Sequence, residues 1–179
     1  MYIYDFIQGL IIGGTLIIAI GPQNLFVIQQ GLKKSYVFTV TLFCSLSDSL
    51  LIVIGIYLSN YIVQINPSII GIIKVLGGIW LIFYGLNKVI KLNQIKDINK
   101  ELNIINEYGK VLITLFLITY ANPHVYLDTI ILLGSLSTNF NDQFSFGIGT
   151  ISASFLFFFT LGYMSKFLSK YIYSNKTWF

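Results

Sequence analysis

Three short stretches put ionisable and hydrogen-bonding groups inside otherwise apolar runs: Gly21-Pro22-Gln23-Asn24, Ser47-Asp48, and Asn122-Pro123-His124 with Asp128 four residues further on. Carboxylates at depth can hold a cationic guest or carry a proton, an imidazole can relay one, and neutral amides can both donate and accept. His124 and Asp128 share a helical face at i, i+4 spacing, with Tyr120 one turn earlier. Asp48 belongs to a second such face, because Thr41, Cys44, Ser45 and Asp48 follow the i, i+3, i+4, i+7 pattern. A central carboxylate costs about 2.5–3.5 kcal/mol on insertion scales, so Asp48 is expected to face a bundle rather than lipid. A protonated, purely structural Asp48 bonded to a neighbouring helix is the competing expectation. For the Asn122 to Asp128 cluster the competitor is a proline kink with a His–Asp pair that only holds helices together.

The elements that must carry these groups follow from composition. The 179 residues are 55% hydrophobic and only 10% charged, with a mean hydropathy of +0.77. A water-soluble domain carries about 25% charged residues, so this chain is expected to be an all-α, polytopic membrane helix bundle. The net charge of +4 comes from eleven lysines and no arginine. These lysines lie between apolar spans, which speaks for membrane topology rather than nucleic acid. A lone Cys44 builds neither a disulfide framework nor a thiolate metal site, and no cofactor or metal is expected. No basic residue precedes the first apolar run, so it is expected to remain as a membrane helix rather than a cleaved signal.

Five transmembrane helices are predicted. The first covers 6–28 and is broken at Gly21 and Pro22; Gly9 and Gly13 give it a close-packing face. The second covers 36–58. The third, 67–90, carries glycines at 71, 78 and 85 and Lys74, whose stem could snorkel or whose amine could pair inside. The polar stretch 91–110 reads as a cytoplasmic linker with a short surface helix. The fourth span runs 111–136, and only eleven residues, Val111 to Ala121, precede its break at Asn122-Pro123, about 16 Å or half a bilayer. Pro123 also frees the carbonyl of Thr119. In the fifth span, 144–168, Gly149 and Ala153 form a small-residue face, and Thr150, Ser154 and Thr160 could reach a cavity.

The whole is one membrane domain over 1–179, with 1–90 a first three-helix repeat, 111–168 a second repeat of two helices, and 169–179 a cytoplasmic tail. Breaks in the first span of each triplet make it an incomplete 3+3 inverted repeat. Lysines concentrate in the first loop, the linker and the tail, which puts the N-terminus outside and the C-terminus in the cytoplasm.

Gly21-Pro22-Gln23-Asn24 with Gln30-Gly31, Ser47-Asp48, Asn122-Pro123-His124-Val125-Tyr126-Leu127-Asp128-Thr129 and Leu133-Gly134-Ser135 together resemble the LysE-type lysine and arginine exporters. They are most similar to its arginine-exporter branch, and the likeness extends through Gly149-Thr150-Ile151-Ser152-Ala153-Ser154-Phe155. It implies a multi-pass transporter of the bacterial inner membrane that exports arginine, with lysine and analogues such as canavanine as further candidates. The two deep carboxylates favour a cationic guest, whose own carboxylate would fall to helix-end N–H groups and to the amides of Gln23, Asn24 and Asn122.

Export against an inside-negative potential costs about 2.3 kcal/mol per charge per 100 mV, a term that exchange for a proton removes. Asp48 or Asp128 is the expected proton carrier, with His124 as partner or relay. Members of that family continue into a sixth helix, so this chain is expected to be one helix short; a non-transporting remnant or a structural membrane subunit is the alternative. Lipid is the expected surroundings, and assembly into a homo-oligomer is left open. An enzyme is not expected, since the Tyr-Asp and Gly-x-Gly-Asp signatures of an intramembrane aspartyl protease are absent.

Overall fold

The computed structural model describes residues 2–18, 21–66 and 107–174, together with Ser68, Ile72, Val75, Leu76, Ile79 and Ile82. Within them the fold is all-helical. In chain order the elements are α1 (Ile3–Ile17), α2 (Pro22–Leu32), α3 (Val37–Ile65), α4 (Tyr108–Tyr120), α5 (Pro123–Tyr126), a π-helical segment (Leu127–Leu133), α6 (Gly134–Ser137) and α7 (Gln143–Ser174). Apart from those six residues, the predicted third span, Lys74 included, and nearly all of the 91–110 linker lie outside the described residues. At the linker's end Lys110 pairs with Glu107 at 2.9 Å, both well exposed.

Proline positions two of these helix starts. Pro22 is the first residue of α2 and Pro123 the first of α5, sites where a missing N–H costs no helical bond. Both prolines therefore start a new helix, rather than kinking one that continues. Gly21 caps α2 in an extended conformation, φ −114° and ψ 178°, so the break makes no use of glycine's left-handed freedom. Between α1 and α2 the chain turns by 83°. The other end of α2 is closed by paired bonds, Lys34 N–H to the Gly31 carbonyl at 2.9 Å and Ser35 N–H to Gln30 at 3.0 Å. This is a Schellman cap with Lys34, at φ 56°, in the place glycine usually takes.

Among the described residues two helices, in α3 and α7, are long and apolar enough to cross a membrane on their own, and the bent α1–α2 pair would make a third. The fifth predicted span stops short of the helix: α7 continues past Leu168 to Ser174, into the predicted tail. The outward faces are apolar. Leu46, Leu50, Val53 and Tyr57 on α3, and Leu156, Met164 and Phe167 on α7, are exposed. Water would penalise such surfaces, whereas lipid accepts them.

The helices meet along small residues. A methyl group added at Gly9 would stand 2.0 Å from the Phe146 carbonyl oxygen, and one at Gly149 2.1 Å from that of Phe6. This is the α1–α7 seam, and Thr150 ties it by donating to the carbonyl of Gly9 at 3.1 Å. Gly55 of α3 and Gly134 of α6 form a second seam, with 2.4 Å between an added Gly134 methyl and the Gly55 oxygen. The main apolar core, Phe26, Val27, Val40, Cys44, Val111, Leu115 and Phe158, fills the space among α2, α3, α4 and α7.

The start of α7 is fastened to α1. Asp142 accepts from both the N–H and the hydroxyl of Ser145, while its own N–H donates to Asp5 at 2.8 Å. The Ser145 hydrogen bonds hold the Asp142 carboxyl below the usual carboxylate range. A carboxylate with a depressed folded pKa stabilises fully above its unfolded value and loses that contribution as pH falls through the folded one. Asp142→Ala is therefore expected to lower the melting temperature in detergent at neutral pH. The gap to the wild-type curve should close as pH drops below about 4, the ordinary aspartate value.

Candidate functional site

A cavity lies where the two helix breaks meet. Gly21, Pro22, Gln23 and Asn24 line it from one side, Asn122, Val125, Asp128 and Thr129 from the other, and Asp48, Leu16, Ile17, Leu133 and Phe158 complete it. Residues about a hundred positions apart are thus brought together by the recurrence of the same device, a helix ended and restarted at proline. The volume is about 60 Å³, room for roughly four to six waters at about 10–15 Å³ each. Its described lining includes two aspartates and no lysine.

Asp48 comes from the middle of α3, on the face shared with Thr41, Cys44 and Ser45, all buried. One of its oxygens accepts from the hydroxyl of Ser154 on α7 at 3.1 Å. The amide of Gln23 lies beside both Asp48 and Cys44. Its nitrogen nevertheless has no partner in hydrogen-bond geometry among the described residues, although the residue is only 6% exposed. Asn24 is used differently: its amide nitrogen donates to the Ile17 carbonyl at 3.2 Å, satisfying the last turn of α1 across the break. Asn122 keeps its place at the cavity wall, and its carbonyl accepts the Val125 N–H at 3.2 Å.

Asp128 sits in the π-helical segment and is close enough to Asp48 for the two carboxylates to interact electrostatically. Winding of this kind is rare and concentrates at functional sites. It also breaks the simple i, i+4 relation drawn from the sequence, since the α-helical part containing His124 ends at Tyr126. The side chain of His124 lies outside the described residues. Tyr120 shares no helix with His124, because α4 ends before Pro123; its hydroxyl instead reaches Ser47 on α3 at 3.0 Å.

One supporting residue escaped the sequence analysis. Tyr126 donates its hydroxyl to the Tyr120 carbonyl at 2.6 Å, giving a partner to a group that the break removes from the helical ladder. Only the two tyrosines flanking Asn-Pro could have hinted at it. Tyr126→Phe should leave that carbonyl short of a partner and cost about 1 kcal/mol, read as a lower unfolding midpoint in micelles. Of the three α7 hydroxyls expected near a cavity, Ser154 holds Asp48, Thr150 is taken up in the α1–α7 seam, and Thr160 is exposed. Among the described residues no cluster of three or more His, Cys, Asp or Glu gathers as a metal site would require.

Residues 15–179 match the family described as LysE type translocator. Among curated proteins, the chain is 36% identical to the arginine exporter protein ArgO of Klebsiella pneumoniae (strain 342), over 94% of the chain and 81% of that protein. It is 34% identical to ArgO of Shigella flexneri, over 99% of the chain and 85% of the relative. With ArgO of Escherichia coli K12 the identity is 35%, over 94% and 81%. No solved structure matches.

Proposed function

The chain belongs to the LysE type translocator family, and on that premise we propose that it exports arginine, and with it lysine and analogues such as canavanine, across the bacterial inner membrane in exchange for protons. The convergence of both proline breaks and both aspartates on one cavity carries this proposal. Broken helices around a polar centre are the construction by which secondary transporters bind small ions and amino acids near mid-membrane. Two carboxylates there suit a cationic guest, and either can take up the proton that returns when the guest leaves.

The cavity is smaller than a basic amino acid, so loading requires it to widen. Five membrane crossings over these residues, with the N-terminus outside and the second broken span inverted relative to the first, accommodate the lysine distribution and the paired breaks. The proposal is tested by efflux of preloaded labelled arginine from proteoliposomes containing the chain, with and without an imposed proton gradient. Efflux that responds to the gradient is expected. A chain that is inserted and folded yet moves neither arginine nor lysine would overturn the assignment.

A further inference from the structure

We infer that the start of α2 is the seat for the zwitterionic end of the guest amino acid: the Gln23 amide and the first N–H groups of α2 take its carboxylate, Asp48 takes its ammonium, and Asp128 is left for the side-chain cation. This inference rests on the export function proposed above.

Three observations lead to it. Gly21 offers no side chain to cap α2, and Pro22 has no N–H, so the first donor at this helix end is the N–H of Gln23; intrahelical bonding begins only with Leu25 N–H to the Gly21 carbonyl at 3.1 Å. The positive end of an eleven-residue helix therefore opens on the cavity at Gly21, Pro22 and Gln23. Second, the Gln23 side-chain nitrogen is buried against the same cavity and, though close to Asp48, completes no hydrogen bond of good geometry among the described residues. A buried donor left unpaired is costly, and a carboxylate oxygen would satisfy it. Third, Asp48 lies directly beside Gln23. The α-ammonium and α-carboxylate of an amino acid share one carbon, so their acceptor and donor must be neighbours, as these two are.

The other candidate donors are less suited. The Asn24 amide is bound to Ile17. At the second break, α5 is only four residues long and its Val125 N–H is already engaged by Asn122.

Competition binding to the full chain in lipid nanodiscs tests the assignment, with labelled arginine displaced by unlabelled arginine or by agmatine, which keeps the guanidinium and the ammonium but lacks the carboxylate. Agmatine is expected to displace the label at least about thirtyfold less effectively, a gap of roughly 2 kcal/mol. Gln23→Leu should shrink that gap to about threefold by weakening arginine alone, and Gln23→Glu should reverse it in favour of agmatine. Equal displacement by arginine and agmatine on the wild-type chain would refute the seat while leaving export intact. A wild-type chain that binds no arginine at all would instead remove the export function on which the seat depends. Equal weakening of both ligands by Gln23→Leu would likewise refute it, by showing that Gln23 acts on the cavity as a whole.

Discussion

Asp128→Asn is expected to reduce arginine export by a factor of about 30 to several thousand and to flatten its dependence on pH. Truncating one partner of a buried charge pair costs roughly 2–5 kcal/mol, which converts to that range at about 1.4 kcal/mol per decade. The amide nearly matches the carboxylate in volume, so a fold defect is not the expected cause, and a melting temperature close to wild type would exclude it. Asp128 lines the cavity from the π-helical segment, within electrostatic reach of Asp48. If the variant still exports arginine with an unchanged pH profile, Asp128 neither binds the cation nor carries the proton. Asp48→Asn would then be the decisive variant, since Asp48 is held by Ser154 and stands beside Gln23.

Gly149→Leu is expected to prevent assembly of the bundle. Its first side-chain carbon alone would meet the Phe6 carbonyl oxygen at 2.1 Å and the Leu10 nitrogen at 3.0 Å. Both are backbone atoms of α1 and cannot rotate away, so α1 and α7 would have to part. A loss beyond about 4 kcal/mol is expected, in the range reserved for mutations that break a named structural feature. Gly14→Ala is the matched control, because its added methyl would find only the Ala153 side chain at 4.0 Å. Monodisperse protein for Gly14→Ala and aggregate for Gly149→Leu is the expected pair of elution profiles. A well-behaved Gly149→Leu chain would show that α1 and α7 do not pack as described.

Much of the site could be read from local chemistry. Proline following glycine or asparagine inside an apolar run marks where a helix must end, and both breaks fall there. Helical spacing alone grouped Thr41, Cys44, Ser45 and Asp48 on one face, and one expensive carboxylate was enough to say which face turns inward. The angle between α1 and α2 was out of reach, since both helices pack on α7, far away in sequence, and no local pattern encodes that arrangement. The π winding of Leu127–Leu133 has no local signature, since Leu, Ile and Thr suit an α-helix equally well. Asn24 illustrates a different limit. An amide next to a helix break serves a guest or a neighbouring carbonyl with the same chemistry, and only the Ile17 contact distinguishes them.

The apolar exterior of α3 and α7 makes the pattern of mutational tolerance the reverse of that in a water-soluble protein. Leu50 or Leu156 is surrounded by hydrocarbon whether or not the helices have found one another, so trimming either one withdraws little from assembly. Intolerance should instead concentrate on the smallest and most polar interior positions: the seam glycines, Thr150, Ser154 and the two aspartates. A deep substitution scan of this chain would therefore look inside out, permissive at its large hydrophobic residues and strict at residues that elsewhere are treated as filler.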